Sequence, residues 1–382
     1  MPQRQKNNTQ TPSFPILPYR FDQKNEVFKR AHWDEKIMPL HESLNTKNYR
    51  DKDGYTRIDF GLHTAAWNLE RSFGFGNWRS NSGLYSWEDT CQAQENLQEA
   101  DLKKIDKSPK ELSRLIKRAA RFFGADLIGI CRLNPNWIYS HEFNVLTKNH
   151  YPLEIPQGCD NAIAMAVAMD YDLIRSSPTA AAGGASGQGY SQMAFIASSL
   201  ASFIRSLGFQ ALPCGNDTAL SIPIAMAAGL GEWSRMGLLV TEEFGPRVRL
   251  CKVFTDMPLE HDSYRPFGVV EFCKTCKICA NHCPSKAIPD GEMTTEGPNI
   301  SSHSGIKKWY IDGERCYSFW AKNHMGCAVC LRVCPFNQRP GKIHDLARLM
   351  IRRAPALNPF LIQLHKILNY DKPYPAEKFW NS

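Results

Sequence analysis

The run "CKTCKICANHCPSKAI" (residues 273–288) sets Cys273, Cys276, Cys279 and Cys283 in the pattern C-x2-C-x2-C-x3-C-P, which constrains this chain more than any other feature. A second run closes in the same cadence. Cys316 stands ten intervening residues before Cys327, and Cys330 and Cys334-Pro follow at the same tail spacing. Three thiolates on one tight loop hold three corners of an iron–sulfur cubane, so the fourth ligand must come from elsewhere. In two-cluster ferredoxins the fourth cysteine of each run crosses to the other cluster. The expectation is one 4Fe–4S cluster on Cys273, Cys276, Cys279 and Cys334, and a second on Cys316, Cys327, Cys330 and Cys283. Zinc is the competing reading. Zinc sites usually pair two C-x2-C knuckles or use histidine, and need neither a crossing ligand nor the proline.

Eight of the thirteen cysteines lie in these runs, while Cys91, Cys131, Cys159, Cys214 and Cys251 are scattered. Clustering favours metal ligation over a disulfide framework. The scattered five read as small buried hydrophobes. With 382 residues the chain has room for two or three structural units. A net charge of +8 without a long Lys/Arg run gives no reason to expect a nucleic-acid partner. No apolar run approaches the roughly 18–20 residues needed to span a bilayer. The N-terminal "MPQRQKNNTQTPSFP" shows neither an apolar signal core nor a twin arginine. As written, the chain is expected in the cytoplasm; a removed twin-arginine leader would place it at the outer face of the cytoplasmic membrane.

Residues 1–105 are polar, with Trp67, Trp78, Trp87, Phe73, Phe75 and Tyr85 crowded into one stretch, as core or as a wall around a flat ligand. A helix follows, with Ser108 as N-cap, Pro109 at its first position, Glu111 completing a capping box and Gly124 as the stop. "ADLIGICRL" reads as a strand, and "NAIAMAVAMD" (161–170) as one buried on both faces. The Gly/Ala/Ser-rich stretch 181–189 reads as a loop leading into a helix from about Tyr190 to Ser206, then a short strand. A helix beginning at Tyr190 would offer free N–H groups to an anionic cofactor group. Residues 237–256 read as two strands around a Gly-Pro turn. The chain has no G-x-G-x-x-G after a strand, no P-loop, no H-E-x-x-H and no D-x-H-x-x-G.

The segments "GYSQMA", "LPCGNDTALSIPIAMAAGLGEWSRMGLLVTEEFGPRVRLCKVFTD", "FGVVEFCKTCKICANHCPSKAI", "CYSFWAKN" and "CLRVCPFN" resemble the catalytic subunit of the respiratory reductive dehalogenases. The resemblance runs from about residue 108 to the C-terminus and more weakly through the N-terminal part. It implies an α+β fold: a nitroreductase-like corrinoid-binding core with a ferredoxin-like two-cluster insertion near the C-terminus. The implied division is 1–105 contributing to the substrate and corrinoid pocket, 106–265 the corrinoid-binding core, 266–340 the two-cluster domain, and 341–382 a helical tail packing back on the core. Implied cofactors are two 4Fe–4S clusters and a base-off corrinoid that no protein histidine ligates. Implied partners are a small organohalide, a low-potential electron donor and a small membrane-anchor protein; a homodimer is compatible with the resemblance.

Residue by residue, the family's proton-donating tyrosine matches Tyr190, its active-site asparagine in G-N-D matches Asn216, and its arginine in G-P-R-x-R matches Arg249. A tryptophan lining the substrate pocket in a similar enzyme matches Trp320. The chain departs from the family in lacking a twin-arginine leader and a long insertion between residues 130 and 160. The residue types suit the chemistry R–X + 2e⁻ + H⁺ → R–H + X⁻. Tyrosine, with an ordinary pKa of about 10, is a poor acid unless a cation stabilises its phenolate; Arg249 is that cation, and Asn216 can orient the phenol or polarise the departing halide. Two rivals remain at this point: an epoxyqueuosine reductase, which shares the cofactors but acts on tRNA, and a non-catalytic ferredoxin-type electron-transfer subunit.

Overall fold

Along Asn161–Ala168, Ile163, Met165 and Val167 alternate with Ala162, Ala164 and Ala166, so one face of the strand is bulky and the other shallow. The computed structural model, which describes residues 17–46, 49–50, 52–76, 79, 81–88 and 105–381, builds the core around this strand. It pairs antiparallel with Leu127–Arg132 on one side and with Val248–Thr255 on the other, and Ala211–Cys214 adds the outer strand beyond. The bulky face meets helices Pro109–Phe122 and Ala180–Ser206 through Leu112, Ile116, Ile196 and Leu200. Each such side chain, fully buried, contributes about 1.5–3 kcal/mol. The alanine face lets helix Ser221–Ala227 approach with Ile224 and Ala225. The approach is tight: a Cβ on Gly129 would stand 2.0 Å from the Ala228 carbonyl oxygen.

Helix Pro109–Phe122 has the expected capping box, with Ser108 and Glu111 each bonding the other's backbone, and it stops at Gly124 with φ +106°. The stretch 181–189 departs from expectation. It is not a loop but the first turns of a 27-residue helix, Ala180–Ser206, whose N-cap is Thr179. Its glycines serve close packing. A Cβ on Gly183 would lie 2.7 Å from His63 Cδ2, and one on Gly187 2.4 Å from Trp67 Cδ1. Helix Arg57–Ala66 and Trp67 occupy that space, and their contact offsets the roughly 0.5–1 kcal/mol each glycine costs a helix. Tyr190 therefore lies inside the helix, and the free N–H groups belong to the Thr179 end.

Residues 237–256 hold the two expected strands, Leu239–Val240 and Val248–Thr255, on either side of Gly245-Pro246, but the two do not pair with each other. Leu239–Val240 pairs with Glu232–Trp233, and only Val248–Thr255 enters the main sheet. Buried Glu232 anchors this ribbon: one carboxylate oxygen accepts the N–H groups of Phe267, Gly268 and Val269, tying it to the helix Val269–Thr275 that opens the cysteine region. That region packs short helices around Phe272, Val333 and Phe336. Ile351 and Ile362, from helices Lys342–Arg353 and Asn358–Ile367, join the same core. Ala376 packs with Leu173, Ile174 and Ala328. Among the described residues no helix is long and apolar enough to cross a membrane.

Candidate active site and cysteine centres

Trp67, seated over Gly187, reaches the next turn of the long helix and stacks on Tyr190, with ring centroids 4.9 Å apart and planes at 25°. Its indole Nε1 donates to the Gly183 carbonyl at 3.1 Å. Asn216 follows the strand Ala211–Cys214, and its Nδ2 donates to the Tyr190 hydroxyl at 3.0 Å. Lys252, almost fully buried, holds the loop that carries Asn216. Its ammonium donates to the carbonyls of Gly215 and Ala219 and to Ser221 Oγ, which in turn donates to Asn216 Oδ1 at 3.4 Å. Burial pushes the Lys252 ammonium down to about 8. The sheet register sets Arg249 opposite Val167, and the guanidinium carbon lies 4.7 Å from the Tyr190 ring centroid. Its Nη2 donates to Ser186 Oγ at 3.2 Å. Tyr190, Asn216 and Arg249, drawn from three separate segments, thus stand together.

Tyr190, Trp67 and Asn216 line a cavity of about 610 Å³, within the size range of small-molecule sites. Of the N-terminal aromatics, Trp67 and Phe75 belong to its wall, Tyr85 is fully buried, Trp87 packs on the core and Phe73 is exposed. Trp78 and Cys91 lie outside the described residues. Trp320 does not line the cavity. It is held on its helix by Tyr317 and sits against Phe28, a wall residue, with ring centroids 5.5 Å apart. Sequence reasoning also missed acid groups on the wall. Glu70 is pushed up to about 8 by burial and then by nearby Asp217; Glu26 is pushed up to about 7 by the same two causes, while the Tyr139 hydroxyl donates to it at 2.5 Å. Lys29 pairs with Asp217 at 3.0 Å. These residues sit in distant segments with no shared spacing, so nothing in the chain singled them out.

In the cysteine region Cys334 has Cys273, Cys276 and Cys279 as its electrostatic neighbours. Cys283 neighbours Cys316, Cys327 and Cys330. Cys330 also neighbours Cys279, so the two groups of four abut. None of the eight is in a disulfide, and neither are the buried Cys131, Cys159, Cys214 and Cys251. Trp309 belongs both to this core and to the cavity wall, so the cysteine centres and the cavity share a partition.

Eight thiols in two abutting groups, set against a cavity with an ordered phenol, define an iron–sulfur oxidoreductase. The profile of the 4Fe-4S double cluster binding domain matches residues 272–337. The chain is 34% identical to the tetrachloroethene reductive dehalogenase of Sulfurospirillum multivorans over 91% of its own length and 75% of that protein's. It belongs to the reductive dehalogenase family, oxidoreductases that act on carbon–halogen bonds. A solved reductive dehalogenase described as B12-dependent superposes with a TM-score of 0.71 at 23% identity, covering 92% of this chain and 47% of that one. The chain thus spans about half the length of that solved relative. An epoxyqueuosine reductase of Lactococcus garvieae is 28% identical over 32% of this chain and 34% of its own.

Proposed function

We propose that the chain reduces an organohalide, replacing carbon–halogen by carbon–hydrogen, with Tyr190 as the proton donor. The observation that carries the reading is the Tyr190–Asn216 hydrogen bond on the cavity wall beneath the Arg249 cation. The Tyr190 oxygen accepts from Asn216, which turns the phenol's own proton outward, free to be given to carbon. The Arg249 guanidinium, over the Tyr190 ring, stabilises the phenolate left behind. Trp67 fixes the ring so that the hydroxyl returns to one position after reprotonation from solvent.

The wall also fits a large cofactor with acceptor groups. Lys308, half-buried, has its ammonium 4.3 Å from the Trp233 ring centroid and 4.5 Å from that of Tyr310, and burial pushes it down to about 8. The buried Trp233 Nε1 beside it has no hydrogen-bond partner among the described residues. Such donors suit the amide and phosphate groups of a corrinoid, with the 216–223 and 308–311 segments as its other contacts. When bound, the corrinoid would supply the metal that reduces the carbon–halogen bond, and the clusters would supply its two electrons singly. The proposed ligand sets are Cys273, Cys276, Cys279 and Cys334 for one cluster, and Cys316, Cys327, Cys330 and Cys283 for the other.

The aromatic wall and the tetrachloroethene reductase relative make chlorinated ethenes the first substrates to try. A low-potential donor and a small membrane anchor complete the proposed setting. The test is reconstitution with iron, sulfide and cobalamin, followed by halide release driven by a reduced viologen. Tyr190→Phe should retain both clusters and the corrinoid yet lose most turnover; undiminished turnover removes Tyr190 from the mechanism. Uptake of about eight irons without cobalt would instead favour the electron-carrier reading.

A further inference from the structure

Arg235 is one of the most completely buried charged side chains of the molecule, 1% exposed, and among the described residues no carboxylate pairs with it. Its guanidinium closes on carbonyl oxygens instead. Nε donates to Cys273 O at 3.1 Å and to Cys276 O at 3.2 Å. Nη2 donates to Cys273 O at 2.8 Å and to Lys274 O at 3.4 Å, and Nη1 to Pro289 O at 3.0 Å and Gly291 O at 2.8 Å. One face covers the Trp309 ring at 4.5 Å, and the Trp309 Nε1 donates to the same Gly291 carbonyl at 3.1 Å. A buried cation without a counter-charge is costly, and six hydrogen bonds to neutral carbonyls do not cancel its charge. Arg235 is an electrostatic neighbour of Cys273, Cys276 and Cys279, so a compensating negative charge is available at the thiolate centre whose backbone it holds.

We propose that Arg235 tunes the reduction potential of the cluster on Cys273, Cys276, Cys279 and Cys334, with that anionic cluster as its counter-charge. The step it biases is a one-electron reduction: an external low-potential donor, here a reduced viologen or dithionite, loses one electron and the cluster gains it, with no bond or proton transferred. Reduction adds negative charge to an already anionic centre, so a fixed cation beside it favours the reduced form and raises the potential. Arg235 acts through the cysteine loop and is a positioning and electrostatic residue, not a catalytic one. Its place on Trp309 puts the tuned centre at the partition with the cavity. The inference rests on the proposed ligand set but not on dehalogenation: too little iron in the wild-type protein sinks the ligand set, whereas the potential is read without substrate.

The experiment is an EPR-monitored redox titration of the cluster-replete protein, with iron content measured in parallel. Arg235→Gln should shift the reduction equilibrium of one cluster at least tenfold toward the oxidised form, a drop of about 59 mV for one electron, and leave the other within twofold. Arg235→Lys, which keeps the charge and loses the fork, should stay within threefold of wild type. Loss of that one cluster in Arg235→Gln with retention in Arg235→Lys supports the proposal as well, since the charge is then what the centre needs. Two intact clusters with unmoved potentials in Arg235→Gln overturn it, as does an equal drop in both variants. Loss of both clusters in both variants assigns Arg235 to the fold alone and overturns it too.

Discussion

Glu70 holds its proton inside the wall because burial, and then Asp217, push its carboxyl up to about 8, against an ordinary value of 4.5. Between those two values the folded chain binds a proton that the unfolded chain has released, so this residue lowers stability progressively as pH rises from about 4.5 to 8. Below that window its contribution is flat. Each tenfold difference in proton affinity is worth about 1.4 kcal/mol, so the total is a few kcal/mol. Glu70→Gln should therefore leave the melting temperature near pH 4 unchanged and raise it at pH 8.5. A melting temperature at pH 8.5 no higher than wild type would show that Glu70 carries no such penalty. Asn216 belongs to the same scale. Asn216→Ala removes the donor to the Tyr190 oxygen at 3.0 Å and should lower kcat by roughly tenfold or more with little change in KM, readable by steady-state halide release.

The long helix shows what a segment adds to its residues. Its glycines are sites of contact, and Gly187 gives Trp67 the room to lie on Tyr190. Gly187→Val should destabilise the fold by about 1–3 kcal/mol through overpacking. It should also displace Trp67, seen as a change in intrinsic fluorescence; a variant with wild-type melting and emission would refute the packing role. The same helix marks the limit of the sequence reading. Cys334-Pro, the Ser108 capping box and the alternating strand at 161–168 were legible, because spacing and local chemistry fix them. The 181–189 stretch was not, because Gly-Ala-Ser composition describes an open loop and a close-packed helix face equally well. The difference lies in Trp67 and His63, more than a hundred residues away. Tyr190, Asn216 and Arg249 were found through resemblance, and Trp320, found the same way, turned out to stand off the cavity behind Phe28.

At the scale of the whole molecule, the Arg20 side chain ties the N-terminal segment to Ile138, Tyr139 and Leu153, and Leu17, Phe21 and Lys29 of that segment wall the cavity from one side. The cysteine region walls it from the other through Trp309. The crossed neighbours make a further prediction. Cys283→Ser should damage the cluster whose other ligands are Cys316, Cys327 and Cys330, and Cys334→Ser the one on the first run, resolved by EPR of the singly damaged proteins. Loss of the first cluster alone in Cys283→Ser would show the crossed assignment to be wrong. The interlacing has a consequence for how such a protein is made. With Cys334 seated beside the first run and Cys283 beside the second, the proposed ligand sets leave neither half with a finished set until the other has docked. Iron loading is then a folding event, and a cell short of iron should accumulate empty chains rather than half-charged ones.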